Sequence, residues 1–423
     1  MEPLTTTANK WTFTQKIFFR FFFVYFVLYC FPFPIVSFQL TQPLIYPFTE
    51  FVEWLVPKVG RLFFNVSLEN PSYFEYRFGD FVFEAIYLFI ITVVALMVSL
   101  VWSVMDRRRL NYEKLERWFL LYIRYFLAFK MLVYGMHKVI PLQGGFITAS
   151  TLEQPFGMME PSSLQWNFLA YSNAYKIFTG LGELLGGLLI LWRRTGTLGA
   201  LILTAVLSVV VMINFCFIMV VKSSSSHYLF IAFIILWNDR ERLLNILIFN
   251  KPTVSRVYPP LIKSRKWMRF FSIFLITLVM WMLYQHISWN HSNWKRWSTF
   301  SHRPLYGVYT TDYFIRGDDT TLPLQTDSLR WKRITIAGVF SPQVYIHLST
   351  DSVISSRVQT DTVQKTIQFE IKKDTLKMNW SRPDSNHLFF SGKWKNDSIK
   401  VMMKNYDLNN YPLYREKFQW IYD

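Results

Sequence analysis

Long apolar runs separated by short basic segments occupy the first two thirds of the chain. An α-helix needs about 20 mostly apolar residues to cross the hydrocarbon core of a bilayer. The pattern therefore predicts an all-α bundle of about seven membrane-spanning helices, over residues 17–36, 81–105, 118–140, 171–192, 198–221, 228–237 and 270–287. The sixth run has only about ten apolar residues, so it crosses only if its polar flanks face protein rather than lipid.

Residues 48–61, between the first two runs, form an amphipathic segment that includes Trp54. Amphipathic helices with aromatic side chains are typical of segments that lie in the plane of a membrane interface. We expect this segment to lie on the outer surface of the membrane.

Beyond residue 289 the pattern changes to alternating apolar and polar positions. Segments 307–314, 329–336 and 399–404 alternate or nearly alternate, and turn sequences such as Gly-Asp-Asp separate them. This alternation predicts an antiparallel all-β meander, closed as a small barrel or a sandwich, from about residue 300 to Tyr422. Its start at Gly307-Val-Tyr and its end near Arg415 resemble the first and last strands of lipocalin-like barrels, with Tyr309 in place of the usual Trp.

These changes of pattern divide the chain into four parts. Residues 1–117 hold the first two spans and the amphipathic segment, and residues 118–247 hold a four-helix membrane core. Residues 248–288 form a cytoplasmic loop and the seventh span, and residues 289–423 form the β-rich domain.

Composition supports a membrane protein and gives its orientation. Apolar residues make up 52% of the chain and charged residues 17%, against about 25% charged in soluble domains. The net charge of +17 does not indicate nucleic-acid binding, because the basic residues lie between apolar runs, at 107–109, 193–194 and 263–269. Cytoplasmic loops carry such an excess of Lys and Arg. We expect a bacterial inner-membrane protein with its N-terminus inside and its C-terminal domain outside, in the periplasm.

Part of the membrane core carries recognisable motifs. Arg124-Tyr-Phe-Leu-Ala-Phe-Lys130 is followed by Tyr134-Gly-Met-His-Lys138, then by a Gly-rich stretch around Glu183 and the basic turn Arg193-Arg194. Over residues 118–247 the chain resembles the DoxX/DoxD family of four-helix membrane proteins. The resemblance implies a membrane fold and, for some members, a place in quinone-linked complexes such as thiosulfate:quinone oxidoreductase. More distant relatives include chaperones and cargo receptors, so a non-enzymatic function stays open.

Glu183 is the leading candidate for a buried charge. It lies near the middle of the fourth span, at a depth similar to that of Lys130 on the antiparallel third span, with Arg124 as a less direct partner. Because an unpaired ion is costly inside a bilayer, we expect these groups to pair. The pair either fixes the register of the helices or acts in proton relay or ligand contact.

A second set of polar residues clusters toward the predicted outer side. Such a set forms a polar pocket open to the outside, or its long side chains simply reach the interface. The set consists of Tyr134, His137, Lys138, Gln143, Asn214, Lys222 and His227. Two histidines on separate helices, and two cysteines (Cys30 and Cys216) inside apolar runs, indicate neither a metal site nor a disulfide.

Together these features predict a partner-dependent membrane protein that binds a quinone-like or lipophilic small molecule, or assists a redox complex. Its partners would be the lipid bilayer and a protein at the extracytoplasmic domain. The alternative is a non-enzymatic assembly or interaction protein; a transporter is less favoured because no inverted repeat is evident. The sequence contains no phosphate loop, nucleophile elbow or haem motif, so it does not decide whether the protein is an enzyme.

The predicted topology can be measured with fusions. Alkaline phosphatase joined to the C-terminus should be active, because that end lies outside, whereas an N-terminal fusion should be inactive. The reverse result would overturn the orientation.

Overall fold

A computed structural model of the chain describes residues 10–37, 39–253, 264–339, 341–371, 374–394 and 397–416. Lys263 of the predicted cytoplasmic loop and the predicted domain end at Tyr422 lie outside these residues. The chain forms two compact units: residues 1–139 with 178–287, and residues 140–177 with 288–423. We call them the helical unit and the barrel unit.

Twelve α-helices occur in the described part of the chain. In chain order they are α1 (Phe13–Cys30), α2 (Tyr46–Phe64), α3 (Tyr73–Tyr76), α4 (Val82–Met105), α5 (Glu113–Val139), α6 (Ala149–Glu153), α7 (Pro161–Tyr171), α8 (Asn173–Leu191), α9 (Gly196–Cys216), α10 (Lys222–Trp237), α11 (Arg240–Leu247) and α12 (Arg265–Ser298). Among the described residues, six of them are long and apolar enough to cross a membrane: α1, α4, α5, α8, α9 and α12.

The sixth predicted span is α10, and it is short. It has 16 residues, or about 24 Å at 1.5 Å per residue, whereas the hydrocarbon core is about 30 Å thick. Asp239 lies just beyond it and accepts a hydrogen bond from Thr197. The part of the chain that the structure describes therefore has six helices of spanning length, where the sequence pattern predicts about seven.

The predicted amphipathic segment is helix α2. Thr49, Val52, Val56 and Gly60 recur every three or four residues and form its buried face, which packs on α4. The opposite side exposes large apolar side chains, among them Trp54, which is 54% exposed.

Glycines bring α5, α8 and α9 into close contact. A Cβ added at Gly135 would lie 2.8 Å from the Gly180 carbonyl oxygen, and one at Gly199 would lie 2.5 Å from the Ile190 amide nitrogen. Only glycine fits where two helix backbones approach this closely. The Gly-rich stretch of the sequence is thus a packing surface on both sides of α8.

The barrel unit contains nine strands within the described residues. They are β1 (Gly307–Arg316), β2 (Asp319–Thr320), β3 (Trp331–Ala337), β4 (Gln343–Leu348), β5 (Val353–Asp361), β6 (Thr366–Ile371), β7 (Asp374–Ser381), β8 (His387–Trp394) and β9 (Asp397–Tyr406). Consecutive strands pair antiparallel from β3 to β9, β2 pairs only with β1, and β1 pairs with both β3 and β9. This closure confirms the predicted β domain and makes it a barrel rather than a sandwich.

The interior of the barrel is filled with side chains. Ile399, Val401 and Met403 alternate inward along β9, as expected for a strand with one buried face. Trp331 lies at the centre with no exposed surface, and its ring contacts those of Phe369 and Phe390. The barrel is therefore held by a solid apolar core.

Residues 140–177, which the sequence divides between the third span, a loop and the fourth span, fold with the barrel. The Glu153 carboxylate at the end of α6 meets Arg333 of β3 at 2.6 Å and also accepts a hydrogen bond from Tyr411. The Ala149 amide donates to the Tyr306 hydroxyl at 2.9 Å, and the Glu416 carboxylate accepts from Asn173 at the start of α8.

The close packing of α9 against α8 predicts a position-specific effect. Gly199→Ala should lower stability by about 1–3 kcal/mol, because the added methyl meets backbone atoms that cannot move away. Gly182→Ala on α8 meets only a side-chain methyl, of Val206, at 3.3 Å and should cost less. Thermal unfolding in detergent measures both variants, and an equal loss for the two would contradict the packing argument.

Candidate functional site

Lys138 and Glu183 form a buried ion pair. The Lys138 Nζ lies 2.6 Å from the Glu183 Oε1, and the two side chains are 10% and 3% exposed. The close approach of Gly135 to Gly180 brings both side chains within reach, since each residue lies three positions from one of these glycines. Glu183 Oε2 has no hydrogen-bond partner among the described residues, so the carboxylate keeps one free acceptor.

The structure corrects the predicted partner of Glu183. Lys130 does lie on α5, but its Nζ lies over the ring of Phe78, 4.1 Å from the centroid, and 5.6 Å from the centroid of Phe126. At 3.6 residues per turn, Lys130 is about 140° around the helix from Gly135, whereas Lys138 is only about 60° away. A similar depth in the membrane is not enough to predict which lysine pairs with Glu183, because the two side chains must also lie on facing sides of their helices.

Arg124, the third candidate for this pair, lies further along α5. Its guanidinium lies 5.7 Å from the centroid of the Tyr125 ring, and its Nη1 is 3.9 Å from the position of a Cβ on Gly196 at the start of α9. Glu183 is held instead by Lys138, one turn beyond Gly135.

The residues of the predicted outer pocket make several separate contacts. Apart from Lys138, those in the helical unit contact different partners. Asn214 donates a hydrogen bond to Ser225 at 2.9 Å, and Lys222 forms an ion pair with Asp80 at 3.1 Å. The His137 ring lies edge-on to that of His286, with centroids 6.1 Å apart. The Tyr134 ring packs on that of Tyr228, with centroids 6.2 Å apart. Gln143 belongs to the barrel unit. The sequence shows which residues are polar but not which of them share a face.

His227 is held between two helices. Its Nδ1 lies 2.7 Å from the Ser223 carbonyl and its Nε2 lies 2.7 Å from the Tyr25 hydroxyl. Since the carbonyl can only accept, Nδ1 donates to it, and in the neutral imidazole Nε2 then accepts from the Tyr25 hydroxyl. The ring also stacks on Tyr29, 4.3 Å between centroids. His227 therefore ties α10 to α1.

Sequence reasoning missed a second buried ion pair, Arg77 with Glu84. The two groups meet at 2.5 Å with side chains 1% exposed, and the guanidinium also donates to the Tyr29 carbonyl at 2.9 Å. Burial alone would lower the pKa of Arg77, but Glu84 and nearby tyrosines offset it and hold the pKa above its ordinary value. Glu84 inside an apolar run was the available signal, because such a carboxylate needs a partner.

A small cavity adjoins this pair. It has a volume of about 80 Å³ and is lined by Lys130 and Arg77 together with Cys30, Tyr73 and several aromatic rings. Two cationic side chains therefore border the same small cavity.

A larger, apolar groove lies between α5 and residues 271–286 of α12. Its volume is about 210 Å³. The lining side chains come from both helices, from Leu191 and from the chain after α1, and almost all are aliphatic or aromatic: Phe33, Pro34, Trp118, Leu121, Tyr122, Tyr125, Phe129, Leu132, Val133, Leu191, Phe271, Leu275, Leu278, Val279, Met282, Leu283 and His286. Phe33 and Phe129, which stack 5.6 Å apart, line both the groove and the small cavity.

Among the described residues, no group of three or more His, Cys, Asp or Glu side chains is placed to hold a metal ion. Charged or titratable side chains line both spaces: Lys130 and Arg77 border the small cavity, and His286 borders the groove.

The fold defines a class of protein in which a unit of long apolar helices is joined to a small antiparallel β-barrel. No family model matches the chain. Over 123 residues the chain is 37% identical to the uncharacterized protein YwoB of Bacillus subtilis (strain 168). The matched region covers 29% of this chain and 78% of YwoB. The chain therefore belongs to the same family as YwoB. No solved structure matches the chain.

Double-mutant cycles distinguish the observed ion pair from the predicted one. Glu183→Gln or Lys138→Met alone should lower stability by about 3–5 kcal/mol, because each leaves an uncompensated buried charge. The double variant should regain part of this loss. Glu183→Gln combined with Lys130→Met should instead be additive within about 0.5 kcal/mol, as measured by denaturant unfolding. Strong coupling to Lys130 and none to Lys138 would contradict the geometry.

Proposed function

We propose that this chain is a multi-pass membrane protein that binds a lipophilic, quinone-like small molecule in the apolar groove between α5 and α12. The observation that carries the proposal is the groove itself, which is enclosed by apolar side chains and has one imidazole, His286, in its lining. Ligand sites are commonly apolar cavities with few polar groups that fix orientation.

The membrane assignment rests on the surface of the long helices. Large apolar side chains such as Leu100, Met212 and Phe274 are more than half exposed along α4, α9 and α12. In water such surfaces would drive aggregation, whereas lipid covers them without penalty. Together with the basic segments of the sequence, this supports a bacterial inner membrane with the N-terminus inside and the barrel outside.

The volume and lining of the groove suit one aromatic or quinone ring. An apolar cavity of about 150 Å³ is enough to bind benzene, and this groove has about 210 Å³. The His286 ring, near His137 and Phe129, can offer a hydrogen bond to a carbonyl oxygen of the ligand.

The resemblance to DoxX proteins agrees with this proposal. The Arg124, Gly135-x-x-Lys138 and Glu183 motifs that carry the resemblance lie on α5 and α8, and Lys138 meets Glu183 directly. Some members of that family belong to quinone-linked complexes, which suggests that the ligand links this chain to a partner redox enzyme.

The second candidate is an assembly or interaction protein without small-molecule chemistry. One observation favours it: the barrel interior is filled by Trp331 and its neighbours, so the barrel offers its outer surface rather than an internal site. We propose that this surface contacts a protein partner outside the membrane. The two functions are compatible in one chain.

Ligand binding can be tested with a matched pair of variants on α12. A benzoquinone with a decyl tail, titrated into the purified protein, should bind saturably and raise Tm. Val279→Trp fills the groove and should abolish binding, whereas Ile276→Trp, on a side chain 60% exposed on the same helix, should leave it unchanged. Equal binding by both variants would place the ligand elsewhere. If the quinone does not bind saturably and a stable protein partner is present in the purified sample, the result would favour an assembly or interaction protein.

A further inference from the structure

We infer that the small cavity beside Lys130 is a binding site for an oxyanion, either a free one such as phosphate or the phosphate of a lipid headgroup. This site is distinct from the proposed quinone groove and does not depend on it. The inference rests on the charge balance, the partners of Lys130 and the shape of the cavity.

The charges around the cavity do not balance. Arg77 is neutralised by Glu84 at 2.5 Å, so this pair contributes no net charge. Lys130 has no carboxylate within ion-pair distance among the residues that the structure describes. One positive charge is therefore left over beside this cavity, in mainly apolar surroundings where an uncompensated ion is unfavourable.

The contacts that Lys130 does make only partly compensate its charge. Its ammonium group lies 4.1 Å from the centroid of Phe78 and 5.6 Å from that of Phe126. Cation–π attraction to a phenylalanine is weaker than an ion pair and accepts no hydrogen bond. The three N–H donors of the ammonium remain available to an acceptor with negative charge.

The cavity has the size and lining for such an acceptor. Its volume of about 80 Å³ corresponds to about five to eight water-sized spheres, enough for a phosphate or carboxylate group but not for a bulky ring system. Lys130 and Arg77 border it, and no Asp or Glu is among its lining residues. A cation would meet only like charge there, whereas an oxyanion would complete the charge balance.

Anion-dependent stability tests this site. In an uncharged detergent, sodium phosphate should raise the Tm of the protein above that in sodium chloride of equal ionic strength. Lys130→Met should weaken phosphate binding by about 10- to 100-fold, since a charge-assisted hydrogen bond is lost. Without any anion, the same variant should have a higher Tm than the unaltered protein, because an unpaired charge has been removed.

Two further variants separate charge from structure. Lys130→Arg keeps the charge and should keep the anion effect. Lys114→Met, an exposed position on the same helix, should change neither the basal Tm nor its response to phosphate. If Lys130→Met does not fold, Lys130→Gln takes its place as the neutral variant.

A second experiment distinguishes a free oxyanion from the phosphate of a lipid headgroup. The protein is placed in nanodiscs of phosphatidylcholine with or without phosphatidylglycerol. Stabilisation by free phosphate identifies a soluble anion, whereas stabilisation by phosphatidylglycerol alone, lost in the neutral variant, identifies a lipid headgroup. If the unaltered protein responds to neither, or the neutral variant responds as fully as the unaltered protein, the site does not bind oxyanions and Lys130 acts only through its aromatic contacts.

Discussion

A charge withdrawn from water needs compensation by an opposite charge or by hydrogen bonds, and the helical unit is arranged around this requirement. Two ion pairs with side chains no more than 10% exposed satisfy it: Lys138 with Glu183, and Arg77 with Glu84. The Lys138–Glu183 pair joins α5 to α8, and Arg77 joins Glu84 in the first turn of α4 to the Tyr29 carbonyl of α1. Apolar contacts alone have little directional preference. The pairs therefore favour one rotation and one register of the helices over the many that apolar packing alone would allow.

Glycine makes the first of these pairs possible. Where Gly135 faces Gly180, the backbones of α5 and α8 come close enough that side chains one turn away reach across. On the other side of α8, Gly199 allows an equally close approach of the α9 backbone to α8. Close backbone approach at Gly135 and Gly180 thus serves both packing and electrostatics, and a larger residue at this crossing would disturb the two together.

Lys130 has no carboxylate partner among the residues that the structure describes, and its ammonium group lies over the rings of Phe78 and Phe126. Lys130 and Arg77 border the small cavity, whereas the groove of α5 and α12 is lined almost wholly by apolar side chains, so the helical unit has two spaces of different character. They share Phe33 and Phe129 in their walls, so a movement of either ring would affect both. The proposed quinone site and the proposed oxyanion site are therefore neighbours in the fold.

The sequence by itself determined the elements, because the period of apolar residues depends only on local geometry. It predicted the long apolar helices, the amphipathic α2 and the antiparallel β domain, and it identified Glu183 as a buried carboxylate that needs a cation. Tertiary structure decided that the cation is Lys138, that residues 140–177 fold with the barrel, and that α10 is shorter than a full span. These outcomes depend on which helix faces meet, and a side chain's neighbours across a helix crossing are not encoded in its spacing along the chain.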